Sequence, residues 1–525
     1  MKNKAYVLLL LMFASYNMQA QTDDFNAFRS RMLNDFQDFR KGILDRYVEF
    51  LDAAWAEFET IGGSRRVTAP KPDTIPVYTS PKEPVEPVQE TPKVPVTTPK
   101  APTIPKVPVT VPKVPTLPKA PVVTPKVPEK STVPETTKEP KQIVPDSSKV
   151  PQTPKIPTIP SVESTPQIAY TLYGMKLSLP APKIDATLKN ITPKEVARFW
   201  KQINESETKA CVDALQQYSE KYQLGDWCTF KAVEAYCDAW AKGNVSASRV
   251  MMQYLMLSMG YDVRMAIAGN EVYLMFPFEQ QVYDNNYLNV NNAKYYLYPK
   301  NLPNGSSIYS CSVPTDVDCG RQINLIVNPA YRLPRNNHSF ALSSGSLSAQ
   351  GNVNKNVIAL LQEYPSMDVY CYAASVTDEE VRRSVVEQLK GQLSGMSEAE
   401  AANALLHFVQ KAFEYKTDGQ QFGEGVEKSF FFDETLYFPY CDCEDRSIFY
   451  AYLVHEILGL NVLLVEYPGH ESTAVALSVA PPKAKSLTYK GRTYYICDPT
   501  YMGADIGMCM PRYIDTTPTL AEWHK

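Results

Sequence analysis

The sequence predicts an α+β fold built from two similar units behind an extended spacer. Three observations predict it. A helical pattern closed by glycine and followed by strands occurs twice, about 200 residues apart. Most of the 43 prolines fall in one stretch ahead of the first unit. In the second unit a cysteine, a histidine and an aspartate (Cys443, His470 and Asp498) stand at successive element boundaries.

The chain opens with Met1-Lys2-Asn3-Lys4, an apolar run from Ala5 to Met12, and Ala20 before Gln21. This reads as a secretory signal peptide over 1–20, too short for a lasting span. No later segment approaches twenty uninterrupted apolar residues. The expectation is therefore a secreted protein of the bacterial periplasm or cell surface, without a transmembrane span. No cysteine follows the leader closely, so no lipid anchor is expected. A formal net charge of -4 over 525 residues gives no global attraction to nucleic acid. The ten cysteines, all from Cys211 onward, are too sparse for a disulfide scaffold. Cys311 and Cys319 are the best candidate pair, being close together in a loop-like stretch. A free Cys443 leaves an odd number, so a second thiol must also stay unpaired.

Residues 21–64 read as one amphipathic helix. Over 24–61, Phe25, Phe28, Met32, Phe36, Phe39, Ile43, Tyr47, Phe50 and Phe58 recur mostly at spacings of three or four. Such a helix either docks to a partner or to a second copy, or folds back on the globular part. Aromatic residues at the seam make a regular zipper less secure. Residues 65–167 form a Pro/Lys/Thr-rich linker in which units such as Thr98-Pro99-Lys100 and Thr124-Pro125-Lys126 recur. Proline fixes φ and removes donors, so polyproline II is expected, reaching on the order of 300 Å when extended. Its lysines keep it solvated, with contact to an anionic polymer as the other reading.

The unit over 168–330 begins with strands at 168–180 and continues through helical patterns at Val196–Trp200, Ala210–Tyr222 and Phe230–Trp240. An apolar helix at Ser246–Met259 is closed by Gly260, and strands follow at Val263–Ala268, Glu271–Phe276 and Tyr295–Tyr298. Residues 331–375 read as a strand-rich connection. The last unit, 376–525, opens with two helices over 378–415. Its helix at Ser447–Leu458 is closed by Gly459, with strands at Asn461–Tyr467, Ser472–Val479 and Arg492–Cys497. Setting Gly260 on Gly459 places Asn244 against Cys443, Glu271 against His470 and Pro299 against Asp498. The first unit thus reads as a degenerate copy lacking the trio. Chance similarity is the competing reading, since helix–strand–strand order is common.

Cys443 stands at a predicted helix start, where backbone N–H groups and positive potential favour a thiolate and can hold an oxyanion. Glu444 and Asp445 oppose that effect, so an imidazole partner is needed. Of five histidines, His407 and His455 fall inside helices, His338 lies in a loop and His524 in the tail. His470 alone opens a strand beside the cysteine helix. Asp498 ends the next strand before Pro499; its plain reading is a turn-forming Asp-Pro. Together the three can act as nucleophile, general base and orienting carboxylate. A zinc set of Cys441, Cys443, His470 and Cys497 is the rival, but Cys-x-Cys is tighter than the usual ligand spacing. Neither a metal nor another cofactor is expected.

The segments Cys443-Glu444-Asp445-Arg446, Tyr467-Pro468-Gly469-His470 and Tyr495-Ile496-Cys497-Asp498-Pro499-Thr500-Tyr501 resemble the Cys, His and Asp motifs of the transglutaminase-like superfamily. The resemblance spans about 400–515 and includes Gln420-Gln421-Phe422-Gly423 and Gly503-Ala504. It implies a papain-like thiol fold, with Cys443 as nucleophile, His470 as general base and acid, and Asp498 as the orienting residue. It offers Gln421 only as a weak oxyanion donor. It also implies a protein or peptide substrate, although the superfamily holds cross-linking acyltransferases, peptidases, amidases and inactive copies. The expected function is a secreted thiol enzyme acting on amide bonds. The alternative is an inactive binding or scaffolding module displayed on the spacer.

Overall fold

The computed structural model describes residues 41–48, 51, 55–58, 65–69, 166–206, 208–290, 292–302, 307–311 and 320–522. The leader at 1–20, nearly all of the proline-rich linker and the Cys311–Cys319 pairing lie outside them. Every cysteine whose side chain is described is a free thiol. No helix among the described residues is long and apolar enough to cross a membrane.

The architecture is mixed α+β, built around two antiparallel sheets. In the first unit the strand order is Trp55–Phe58, Ile308–Cys311, Arg264–Ala268, Glu271–Phe276, Ala293–Tyr298, Asn286–Val290 and Arg65–Arg66. In the second it is Thr519–Glu522, Val462–Tyr467, His470–Val475, Arg492–Cys497 and Ser486–Tyr489. The five central strands of the first sheet follow the same connectivity as the five of the second. Register agrees as well. Leu274 pairs with Tyr298 where Thr473 pairs with Cys497, and Ala268 pairs with Glu271 where Tyr467 pairs with His470. This agreement supports an internal repeat over chance order.

Each sheet is preceded by a buried helix, Val245–Ser258 or Cys443–Leu453, the latter continued by a π-helical turn at Val454–Leu458. Gly260 and Gly459 end these segments with positive φ of 87° and 68°, a conformation that costs glycine little. Between N-cap and closing glycine the second helix is one residue longer. The π turn accommodates that residue, so the N-caps Asn244 and Asp442 correspond and Val245 takes the place of Cys443. The pairing of Asn244 with Cys443 expected from the sequence is shifted by one for this reason.

Two further expectations are corrected. The N-terminal segment is not one helix to residue 61. It is helical over 41–48, but Trp55–Phe58 forms an edge strand on Ile308–Cys311, and the Arg65–Arg66 strand pairs with Tyr287 and Asn286. Backbone pairing with a distant strand overrides the local helical periodicity. Ile43, Leu44, Tyr47 and Leu51 are buried, and the Tyr47 ring centroid lies 4.8 Å from that of Trp200, so this stretch folds back on the globular part. The connection at 331–375 holds one hairpin, Asn337–Ser344 with Leu347–Asn354, and then two helices, Lys355–Leu361 and Val369–Ala373. One continuous apolar core runs from Ile43 through Trp200 and Phe449 to Ile506, joining both units. Trp200 is fully buried without an orphan donor: its Nε1 donates to Gln253 (2.6 Å), whose Nε2 donates to the Val263 carbonyl.

Asp433 is buried in the helix Phe432–Tyr437, where it accepts from the Thr377 hydroxyl and, at 3.4 Å, from the Asp378 N–H. Burial pushes its carboxyl up from 3.8 to about 7. A group raised on folding contributes stability that is full below about pH 4 and is lost as pH rises through about 7. Denaturant midpoints at pH 5 and pH 8 should therefore show a less stable protein at pH 8. Asp433→Asn should narrow that gap by a few kcal/mol, at about 1.4 kcal/mol per pH unit.

Candidate active site

The residues singled out in the sequence come from three adjoining elements. Cys443 is the first residue of its helix. His470 follows the two-residue turn Pro468-Gly469, in which Gly469 has φ 70°, as the position after proline in a type II turn requires. The helix is bound to the histidine strand one turn on, because Ser447 Oγ donates to the Glu471 carbonyl (3.2 Å). The Glu471 main chain also reaches the Cys443 thiol.

His470 is buried and held on two sides. Its Nε2 meets Asp498 Oδ2 at 2.8 Å. Its ring stacks on Tyr513, with centroids 5.2 Å apart and planes 9° apart. Its Nδ1 is buried with no hydrogen-bond partner among the described residues. Asp498 is fixed in turn, since its Oδ1 accepts from the N–H groups of Thr500 (2.9 Å) and Tyr501 (3.0 Å). Thus Asp498 serves both plain turn chemistry and the histidine contact.

Sequence reasoning missed Gln410. It lies fully buried on the helix Glu398–Ala412. Its Nε2 donates to the carbonyls of Asp498 (3.1 Å), Tyr501 (2.9 Å) and Ala504 (3.0 Å), and its Oε1 accepts from Gly503 N–H (3.0 Å). The available signal was a glutamine next to Leu406 and in line with Asn403 and His407, which form a polar stripe along the helix.

Cys443 and His470 line one cavity of about 360 Å³. The first unit contributes Tyr283 to its wall, and the connection contributes Asp368, which accepts from the Tyr283 hydroxyl. Glu427, Lys428, Glu444, Glu466 and Glu471 complete its charged lining. Gln421 is not part of the lining, and its Nε2 donates to the Tyr440 carbonyl at 3.3 Å. Its assignment as an oxyanion donor gains no support from this position.

The thiol does not have the environment expected from a helix start alone. Burial, then Glu444 and Asp442, push Cys443 well above its ordinary range, and the Glu471 main chain works the other way. The thiol donates to Glu444 Oε2 at 3.1 Å. Acid groups crowd this end of the helix. Burial raises Asp418 to about 7 and raises Asp442, Asp445 and Glu471 well above the usual carboxylate range, with Glu444 a further contributor to each. The helix N-terminal field is thus outweighed by desolvation and like charge.

The zinc set anticipated as a rival is not assembled. Among the described residues, the one group of His, Cys, Asp or Glu side chains close enough to share an ion is Asp418, Asp442 and Glu444.

Searches of family models, curated proteins and solved structures return no match. In the first unit the corresponding positions are Val245, Glu271 and Pro299. Val245 carries no nucleophile, and Glu271 is ion-paired to Arg249 at 3.1 Å. The trio belongs to the second unit alone.

Glu444→Gln removes a negative charge beside the thiol and leaves only a neutral amide oxygen as acceptor of its proton. Iodoacetamide labelling of Cys443 at pH 7 should quicken on the order of tenfold, the equivalent of one pKa unit. Rate–pH profiles of wild type and variant check this. Gln410→Leu would remove four hydrogen bonds to the Asp498 loop, although the Asp498 and Tyr501 carbonyls keep a main-chain donor each. Urea unfolding should show a loss of at least about 2 kcal/mol.

Proposed function

We propose that the protein is a secreted thiol enzyme of transglutaminase-like type that acts on amide bonds. The observation that carries this reading is the state of His470. Its Nε2 is tied to Asp498, and its Nδ1 lies buried and unpartnered beside a cavity that also holds Cys443. An imidazole oriented by a carboxylate, with its second nitrogen available, suits a general base. The order of the Cys443 helix, the His470 strand and the strand ending before Asp498 supports the same reading.

In the proposed cycle the Cys443 proton passes to His470 Nδ1 as sulfur attacks the amide carbonyl. The imidazolium returns that proton to the departing amine, leaving a thioester on Cys443. Water or a second amine then attacks the thioester, losing its proton to His470; the C–S bond breaks, the imidazolium returns the proton to the Cys443 sulfur, and acid or a new amide is released. Asp498 keeps the imidazole in one tautomer and stabilises its charged form. Hydrolysis is favoured over cross-linking because water is the abundant acceptor in the bacterial envelope.

A second reading is a substrate-binding module that does not turn over. The buried thiol, bonded to Glu444 and held protonated, favours it. Incubating the purified chain with a library of peptides and glutamine-containing proteins, followed by mass spectrometry under acid quench, separates the two. The enzyme predicts an acyl adduct on Cys443, absent from Cys443→Ala. Asp498→Asn should slow turnover on the order of a thousandfold or more. Substrate retained on the protein with no adduct and no product would reject the enzymatic reading.

A further inference from the structure

Asp418, Asp442 and Glu444 come from two separate segments, yet one oxygen of each lies within 4.8 Å of the others, and all three residues are buried. Asp442 is fully buried, and neither of its carboxylate oxygens has a hydrogen-bond donor among the described residues. The side chains of the nearby cations bond elsewhere, with Nε of Arg446 alone among them buried without a partner. Lys428 Nζ pairs with Glu434 at 2.9 Å, while its main-chain N–H donates to Asp418 Oδ2. Arg446 donates to the carbonyls of Gln410 (3.3 Å) and Phe413 (2.8 Å) and lies over the Tyr415 ring. Asp445 differs from its neighbours because its two oxygens accept from Phe430 and Asp442 N–H groups.

We propose that Asp418, Asp442 and Glu444 form a binding site for a hard divalent cation, calcium by its chemistry, behind the cavity wall at the start of the Cys443 helix. Buried like charges are costly, most of all at Asp442, whose two oxygens have no donor, and a cation relieves all three carboxylates at once. The donor set is all carboxylate oxygen, which suits hard ions rather than zinc. The three oxygens lie within 4.8 Å of one another, inside the span of a calcium shell, and three protein carboxylates suit calcium better than magnesium, which is usually held by one or two. Glu444 also lines the cavity, which gives an ion a way in and leaves room for water to complete its shell. The site adjoins the Cys443–His470–Asp498 trio through Glu444, which accepts from the Cys443 thiol, but its occupancy does not depend on whether that trio turns over. A proton held between Asp442 and Glu444 is the other way to settle the cluster.

Terbium luminescence on the full chain, stripped with chelator, distinguishes the two. Tyr415 pairs with Cys441, one residue before Asp442, and Arg446 of the Cys443 helix lies over its ring, so the ring is close enough to sensitise a bound terbium ion. The expected result is saturable emission displaced by calcium. Asp418→Asn should weaken terbium binding at least tenfold, and Glu466→Gln, on the cavity wall, should leave it unchanged. If Asp418→Asn does not fold by circular dichroism, Glu444→Gln is read on the same scale. Absence of saturable emission, insensitivity to Asp418→Asn (or to Glu444→Gln where Asp418→Asn does not fold), or equal weakening by Glu466→Gln would overturn the proposal.

Discussion

The buried amide of Gln410 is the contact on which the candidate site depends. Asp498 lies in a loop after a strand, and a loop alone does not hold a carboxylate to tenths of an ångström. Gln410 engages four main-chain groups between Asp498 and Ala504, so the loop is fixed to a helix that belongs to the core. The carboxylate then fixes Nε2 of His470, and Tyr513 fixes the plane of its ring. Each restraint leaves Nδ1 as the one ring nitrogen without a partner. Remove the amide and every later restraint loses its reference.

The two units show what one scaffold does with and without that chain of restraints. Strand order, register and the glycine-closed helix are shared. The difference at the helix start comes from a single extra residue, taken up in a π turn at Val454–Leu458. A straight α-helix of the first unit's length would place a different residue after the N-cap. The copy without the trio still takes part in the cavity. Tyr283 lies in its wall and is bonded to Asp368 of the connection, so whatever enters touches both halves of the molecule. The shared apolar core makes their relative placement part of the fold itself.

Much of this was legible in the sequence, and the unread parts share one physical origin. Strands such as Arg492–Cys497 and the glycine-closed helices follow from local alternation and period, which a single segment carries by itself. Elimination among five histidines led to His470, which does bond to Asp498. The strand Trp55–Phe58 was read as helix because its partner, Ile308–Cys311, lies about 250 residues away and no local pattern reports it. Gln410 was missed for a related reason: its four partners are all some ninety residues downstream. The acids at 442, 444 and 445 were visible as a run, but Asp418 joins them only through tertiary packing.

The same packing explains why the thiol differs from a simple helix-start cysteine. A helix N-terminus contributes roughly half a positive charge, and its effect fades within the first turn. Against it stand full burial and carboxylates on both sides in sequence, Asp442 and Glu444. Desolvation wins because a thiolate inside the protein has lost water and gained no cation. For Cys443 to act as a nucleophile, something must enter that changes this balance. A substrate carbonyl that draws the thiol from Glu444 toward the helix N–H groups does so, and so does a cation that neutralises the carboxylates. Either way the resting site is closed by its own charge, and reactivity waits on what the cavity admits.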